Sequence, residues 1–409
     1  MNTKRNYITE FIGLDLLRFL LSIMVVIRHY YHFYVPFPDS PFTAHDVMIT
    51  EQPFYNLLGP IYSHGQYAVQ VFWLISGLIF YSVYHQDIVE QRINFGKFSF
   101  LRFSRLYPLH LVTLIVALIA QFWFFETHNT FFVYQANDIR HFFLQLFLMG
   151  SWFPSMEHSF NVPVWSVSVE IFVYIFFFLI TAAAQTRGNR LILIICITLI
   201  FNFYGFIPPF NACLLYFFSG CFLGKMIHDK ISLRTLLVRY AIVSVVVVLG
   251  VWSLRSLMTK EQIASNADFV LTLRMIPIAS TLVLISLIAF KNVTAKWLIS
   301  FFRHIGNMTY SVYLVHFPIQ IIIFMVLSPT DWRVFNNPIV LLSFVTISMA
   351  VGWLAYEYFE KPAQKWLRAK YLEIAGDDNV FPDQLAHNPV NENESVGLRL
   401  LRKGLNSIR

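Results

Sequence analysis

The sequence predicts an all-α polytopic membrane protein of about ten transmembrane helices, with the N- and C-termini on the cytoplasmic side. Three observations predict it. Of the 409 residues, 57% are hydrophobic, 18% aromatic and only 13% charged, about half the roughly 25% charged residues usual in soluble domains. The apolar residues fall into runs of about 20, the length that crosses a bilayer. With the N-terminus inside and the runs alternating, 23 of the 30 lysines and arginines fall in the segments that face inward, as the positive-inside rule requires.

The runs in chain order are 14–34, 67–84, 106–125, 164–184, 191–207, 212–228, 237–256, 269–290, 307–328 and 338–358. Lys4 and Arg5 precede the first. Arg18 interrupts its start and no small-residue cleavage site follows, so this helix is expected to stay as an anchor. The basic stretches 85–105, 185–190, 225–239 and 291–303 mark the inward turns after the second, fourth, sixth and eighth runs. Segment 139–153 (IRHFFLQLFLMGSWF) is too short to span and is expected to form an interfacial or re-entrant helix on the outer side. After Pro362 the character changes. Residues 375–395 are polar, with Pro, Asn and Asp, and read as disordered. The last stretch, VGLRLLRKGLNSIR, sets Leu398, Leu401, Leu405 and Ile408 on one face, a pattern that suits either the inner leaflet or a frayed tail. The expected organisation is a membrane domain over 1–366 and a cytoplasmic tail over 367–409.

The net charge of +7 is explained by topology, so no nucleic-acid partner is expected. Cys196, Cys213 and Cys221 lie inside apolar runs, with spacing that suits neither a disulfide framework nor a zinc site. No internal repeat is visible, which weakens a transporter built of inverted halves.

Charges inside spans need a reason, because each costs roughly 2.5–3.5 kcal/mol to insert. In the first span, LDLLRFLLSIMVVIRHYYHF, Asp15 and Arg18 are three apart and can pair. Arg18 and His29 are eleven apart, about three turns, so they share a stripe and sit about 16 Å apart along the axis. Ser22 lies close to that stripe. Arg28 and His32 are expected to contact headgroups. In KFSFLRFSRLYPLH, Arg102 and Arg105 lie on one face at the inner edge, where guanidinium forks suit phosphate if Arg18 is near. In NVPVWSVSVEIFVYIFFFLI, Glu170 sits at a depth expected to match His29. A carboxylate there would fix the imidazole tautomer and raise its basicity. His316, in GNMTYSVYLVHFPIQ, is expected to be a packed, hydrogen-bonded core residue. Glu360 and Lys361, in YEYFEKPAQKW, are expected to cap the bundle or to pair with Arg102 or Arg105.

Together these blocks resemble acyltransferase family 3, the membrane O-acyltransferases that modify envelope carbohydrates. The resemblance covers about residues 11–366. It rests on LDLLRFLLSIMVVIRHY, GQYAVQVFWLISGLIF, FLRFSRLYPLH, NVPVWSVSVEIFVY, TYSVYLVHFPI and YEYFEKPA, taken in order. It implies a ten-span bundle in the cytoplasmic membrane that uses a cytoplasmic acyl-CoA donor, commonly acetyl-CoA, and no metal. The family's helix-one arginine and histidine fall on Arg18 and His29, and its R-x-x-R pair falls on Arg102 and Arg105. Its tryptophan–serine–glutamate block falls on Trp165, Ser166, Ser168 and Glu170, and its late histidine block on Ser311, Leu314 and His316. Three positions depart from the pattern: Leu16-Leu17 where a glycine is frequent, Arg28 directly before His29, and Leu78 in the Ser76-Gly77 block. The fused hydrolase-like domain of some relatives has no counterpart here, so an acceptor-handling partner is expected to be separate.

The implied reaction moves an acetyl group to a hydroxyl of a polysaccharide, lipid-linked glycan or glycolipid. Arg18, Arg102 and Arg105 hold the CoA phosphates, and His29, oriented by Glu170, is the base. Asp15, Trp165, Ser166, Ser168, His316 and Glu360 are possible supports, the serines as conceivable neighbours of His29. The same buried charges also suit a transporter or flippase for a lipid-linked sugar. A non-catalytic scaffold fits less well, since a polar line through several helices costs insertion energy.

Overall fold

Apolar segments in a solvent without water satisfy every backbone N–H and C=O internally only as helices or closed barrels. The computed structural model takes the first solution and is an all-α polytopic membrane protein, with no strand among the described residues. Those residues are 11–40, 50–153, 157–184, 194–195, 197–198, 210–257, 267–290 and 292–375. They form thirteen α-helices: α1 (Ile12–His29), α2 (Tyr55–His64), α3 (Tyr67–Val89), α4 (Phe95–His128), α5 (Ile139–Leu146), α6 (Val164–Ala184), α7 (Phe210–His228), α8 (Leu233–Leu257), α9 (Ala267–Ala289), α10 (Lys296–Asn307), α11 (Thr309–Leu327), α12 (Pro338–Ala355) and α13 (Lys361–Ala375). Seven described helical stretches are long and apolar enough to cross a membrane; they include α3, α4, α6, α7 and α11. Three charges within its 18 residues (Asp15, Arg18 and Arg28) keep α1 out of that set. Most of the expected span 191–207, and all of the tail after residue 375, lie outside the described residues. The chain divides into two packing units, 1–364 and 365–409.

Helix ends follow local chemistry. The third run extends well beyond 106–125 because Asn94 caps α4, accepting from the Lys97 N–H at 2.8 Å, and Asn129 closes it in the left-handed region at φ 54°. The segment expected to be helical over 139–153 is helical only to Leu146. Asp138 caps its start through the His141 N–H at 2.9 Å, and the chain turns at Leu148, where φ is 57°. Asn337 caps α12, with Pro338 in the first turn, where its missing N–H costs nothing.

Small residues bring backbones together, the usual means of helix association in lipid. A Cβ on Gly77 of α3 would lie 1.8 Å from the Phe217 carbonyl oxygen of α7, and one on Gly220 of α7 would lie 2.0 Å from the Leu74 carbonyl oxygen of α3. Gly13 packs in the same way on Ser286 of α9, and Gly306 of α10 on Asp15. As a result α1 is surrounded by α3, α9, α10, α11 and α12. Its far end continues as a 3₁₀ turn, Tyr30–Tyr34, sunk in an aromatic core with Phe124, Phe132, Phe324, Phe335 and Phe344. Tyr30 Oη donates to the Phe335 carbonyl at 2.8 Å, fixing the end of α1.

Two irregularities shape the bundle's interior. Pro318 has no N–H to give the Leu314 carbonyl four residues back. Asn161 Nδ2 fills the gap at 3.0 Å, fastening the segment before α6 onto α11. After α12, Tyr356–Glu360 forms a π turn, closed by the Lys361 N–H on the Tyr356 carbonyl. Pro362 follows, and the π turn ends on Glu360, which is 1% exposed.

Candidate active site

At the start of α1, Asp15 and Arg18 pair at 3.6 Å, as their spacing predicts. Arg18 Nη2 also donates to Thr309 Oγ1 of α11 at 3.3 Å. A second cation, Arg303 of α10, extends its charge to Asp15; sequence reasoning left it in an inward-facing basic stretch. Arg102 and Arg105 come from one turn of α4 and point to different partners. Arg102 donates to Tyr84 Oη and lies over the Phe80 and Tyr84 rings, 5.0 and 4.8 Å from their centroids. Arg105 is bound to the Glu360 carboxylate and donates to the Asn307 carbonyl at 3.2 Å. Glu360 also accepts from Ser311 Oγ. The expected pairing of Glu360 with the R-x-x-R block is therefore present, and it occupies one of the two guanidinium forks.

Three turns along α1 lies a group of three imidazoles. His29 Nδ1 and His316 Nε2 are 3.0 Å apart. The His32 ring lies nearly parallel to His29, with ring centroids 5.2 Å apart, against 4.9 Å for His29 and His316. Gln320, one turn beyond His316, donates through Nε2 to the His29 carbonyl at 2.8 Å. Its Oε1 therefore accepts from His32 Nδ1 at 3.1 Å, and His32 Nε2 accepts from Tyr134 Oη at 3.3 Å. His32 is 0% exposed, not a headgroup contact, because the 3₁₀ turn rotates it into the core. Arg28, half-buried, bonds Gln66 Oε1 at 3.2 Å and covers the Tyr31 ring at 4.4 Å. Ser22, close to the stripe, donates to the Phe19 carbonyl of its own helix at 2.7 Å.

The expectation that Glu170 faces His29 is corrected by the structure: His316, from the ninth run, holds that position. Glu170 instead receives hydrogen bonds from Ser76 and Tyr174, and the cations whose fields reach it are Arg102 and Arg18. Its Oε1 is buried with no hydrogen-bond partner. Ser166 and Ser168 do not hydrogen-bond to His29. Ser166 Oγ bonds Tyr313 Oη at 2.8 Å, and Tyr313 donates to the Pro163 carbonyl at 2.7 Å. Ser168 accepts from the Ser151 N–H at 3.1 Å, while its carbonyl takes the Trp152 indole N–H at 2.8 Å. Trp165 meets Trp73 edge-on at 5.9 Å and lies beside His158, whose imidazole is pushed below its usual range by burial.

His29, Glu170, Tyr310 and Tyr313 are enclosed by protein yet only half-buried, so they front an internal space. Arg105 lies 5.9 Å from the Tyr310 ring, the Glu170 charge reaches both tyrosines, and Tyr313 meets His316 at 5.9 Å. A polar column thus joins the arginines to the imidazoles, by way of tyrosines that sequence reasoning did not single out. His29 Nε2 has no partner among the described residues. No cluster of metal-ligating residues is present among them either.

The sequence profile of the acyltransferase family 3 domain matches residues 11–357, which include every residue of this column except Glu360. The chain belongs to acyltransferase family 3. Searches of curated proteins and of solved structures gave no match. As a membrane acyltransferase, the protein has to bring an acyl donor and an acceptor together.

Proposed function

We propose that this acyltransferase moves an acetyl group from cytoplasmic acetyl-CoA to a hydroxyl of an envelope or exported carbohydrate. It does so from a ten-span bundle in the cytoplasmic membrane with both termini inside. The observation that carries the reading is the His29–His316 imidazole pair, set three turns along α1 from Arg18. A neutral imidazole with an open nitrogen suits a general base. Guanidinium groups about 16 Å away along α1 suit the donor's phosphates, a distance an extended pantetheine arm can cross.

In this mechanism Arg102 and Arg18 take the phosphates. Arg105, held by Glu360, braces the floor beneath them. The acceptor hydroxyl gives its proton to His29 Nε2 as its oxygen attacks the thioester carbonyl. The tetrahedral centre collapses, the C–S bond breaks, and the CoA thiolate takes the proton from the imidazolium. Direct transfer is favoured because no serine or cysteine among the described residues hydrogen-bonds to His29. Glu170 stays among the catalytic candidates as a buried carboxylate on the wall of the space, where it can steer the donor's amides.

The test supplies labelled acetyl-CoA to membranes that contain the protein and native envelope glycans. Label should pass to glycan with the wild type and not with inserted, folded His29→Ala. Undiminished transfer by that variant would remove the base from the scheme. Uptake of unmodified cargo without label transfer would mark a transporter instead.

A further inference from the structure

A base needs its lone pair on the nitrogen that faces the substrate, so something must hold the ring proton on the other one. Nothing in the family match says what does this in a chain where Glu170 is engaged elsewhere. His316 lies 287 residues from His29 in sequence, and its Nε2 is 3.0 Å from His29 Nδ1. One of those two nitrogens carries the shared proton.

The far side of His316 decides which. His316 is 0% exposed, its Nδ1 is buried with no hydrogen-bond partner, and the carbonyls of Val312 and Tyr313 one turn back reach its ring. A bare lone pair facing carbonyl oxygens is repelled, whereas an N–H is attracted. The proton therefore sits on His316 Nδ1, leaving Nε2 as the acceptor. His29 Nδ1 must then be the donor, and His29 Nε2 keeps its lone pair for the internal space. Of the other neighbours, the Val25 carbonyl one turn back on α1 also reaches the His29 ring, and the rest are committed. Gln320 spends its NH₂ on the His29 carbonyl and its oxygen on His32. His32 spends Nε2 on Tyr134 and meets His29 only through its ring face.

We propose that His316 is a positioning residue that fixes the His29 tautomer, an imidazole in the place where hydrolase triads put a carboxylate. The proposal rests on the assignment of His29 as base. A neutral partner orients the ring without adding an anion to a membrane interior, where a second buried charge is costly.

The experiment uses the full-length protein in nanodiscs with ¹⁵N-labelled histidine, the His29 signals being assigned by their loss in His29→Gln. Wild type should show His29 protonated at Nδ1. His316→Leu should shift His29 toward the Nε2–H form. The same substitution should lower kcat for label transfer from acetyl-CoA by roughly 10²–10⁴-fold, the scale of a lost tautomer, with KM for acetyl-CoA within about twofold. His316→Gln, whose Oε1 can stand in for Nε2, should recover at least tenfold of the loss. An Nε2–H tautomer in wild type overturns the proposal whatever the variants do. Equal losses in the Leu and Gln variants, or none in Leu, overturn it as well. Full activity in His29→Gln would instead defeat the assignment of the base, while the wild-type tautomer still tests His316.

Discussion

The Arg105–Glu360 contact separates two readings of the R-x-x-R block. Glu360 is 1% exposed and the Arg105 side chain 20%, so the pair is largely out of water. Removing one partner of a buried pair strands the other, at about 3–5 kcal/mol. Glu360→Ala should fall near the upper end, because Arg105 loses its carboxylate partner and Ser311 loses its acceptor. Arg105→Ala should fall near the lower end, because Ser311 still serves Glu360. The double variant strands neither charge, so its cost should be less than the sum by about 2 kcal/mol or more. The assay is equilibrium unfolding of the four proteins in mixed micelles, with acetyl-CoA binding measured on each. Costs that add to within about 0.5 kcal/mol would refute a tight pair. Unchanged stability with tighter acetyl-CoA binding in Glu360→Ala would show that Glu360 guards a phosphate site and does not brace it.

Other perturbations have expected outcomes of their own. Gly77→Val and Gly220→Val should abolish folded protein on size-exclusion chromatography, since the added carbons meet carbonyls of the partner helix. Gly250→Ala meets nothing within 4 Å and should be neutral or stabilising by up to about 1 kcal/mol. Asn161→Leu leaves the Leu314 carbonyl unpaired beside Pro318 and should cost about 1–3 kcal/mol in unfolding measurements, with kcat falling because His316 rides on the same turn. Asp138 is held below the usual aspartate range by the His141 backbone N–H and then by the His141 side chain. A depressed carboxyl stabilises above its ordinary value, so protection of α5 from hydrogen exchange should fade as the pH drops through the acidic range. Asp138→Asn, which keeps the cap and not the charge, should flatten that dependence.

Much of the fold was legible because lipid imposes a simple rule: long apolar runs become helices, and charges inside them need partners. The Asp15–Arg18 pair followed from a spacing of three, and Glu360 from its place next to a basic turn. What was not legible depends on contacts between distant runs. His316 carries no local sign that its partner is His29, and a histidine on an apolar helix face looks the same whether it packs or bonds. Glu170 was given the wrong neighbour because depth along a helix says nothing about which way the helix faces. His32 lay close to the outer end of the first run and so looked like a surface group, until the 3₁₀ turn carried it inward. Arg303 was hidden for the same reason, one basic residue among several at an inward-facing turn.

The glycine contacts between α3 and α7 carry a mechanical consequence. With each backbone seated against the other's carbonyl groups, neither helix can slide or roll without lifting the pair apart. They behave as a single plank. The proposed donor has to pass from Arg102 toward His29, so any widening for its passage must come from the opposite wall. The irregular backbone lies in α11, at the prolyl break, and just after α12, at the π turn, where regular pairing is already interrupted.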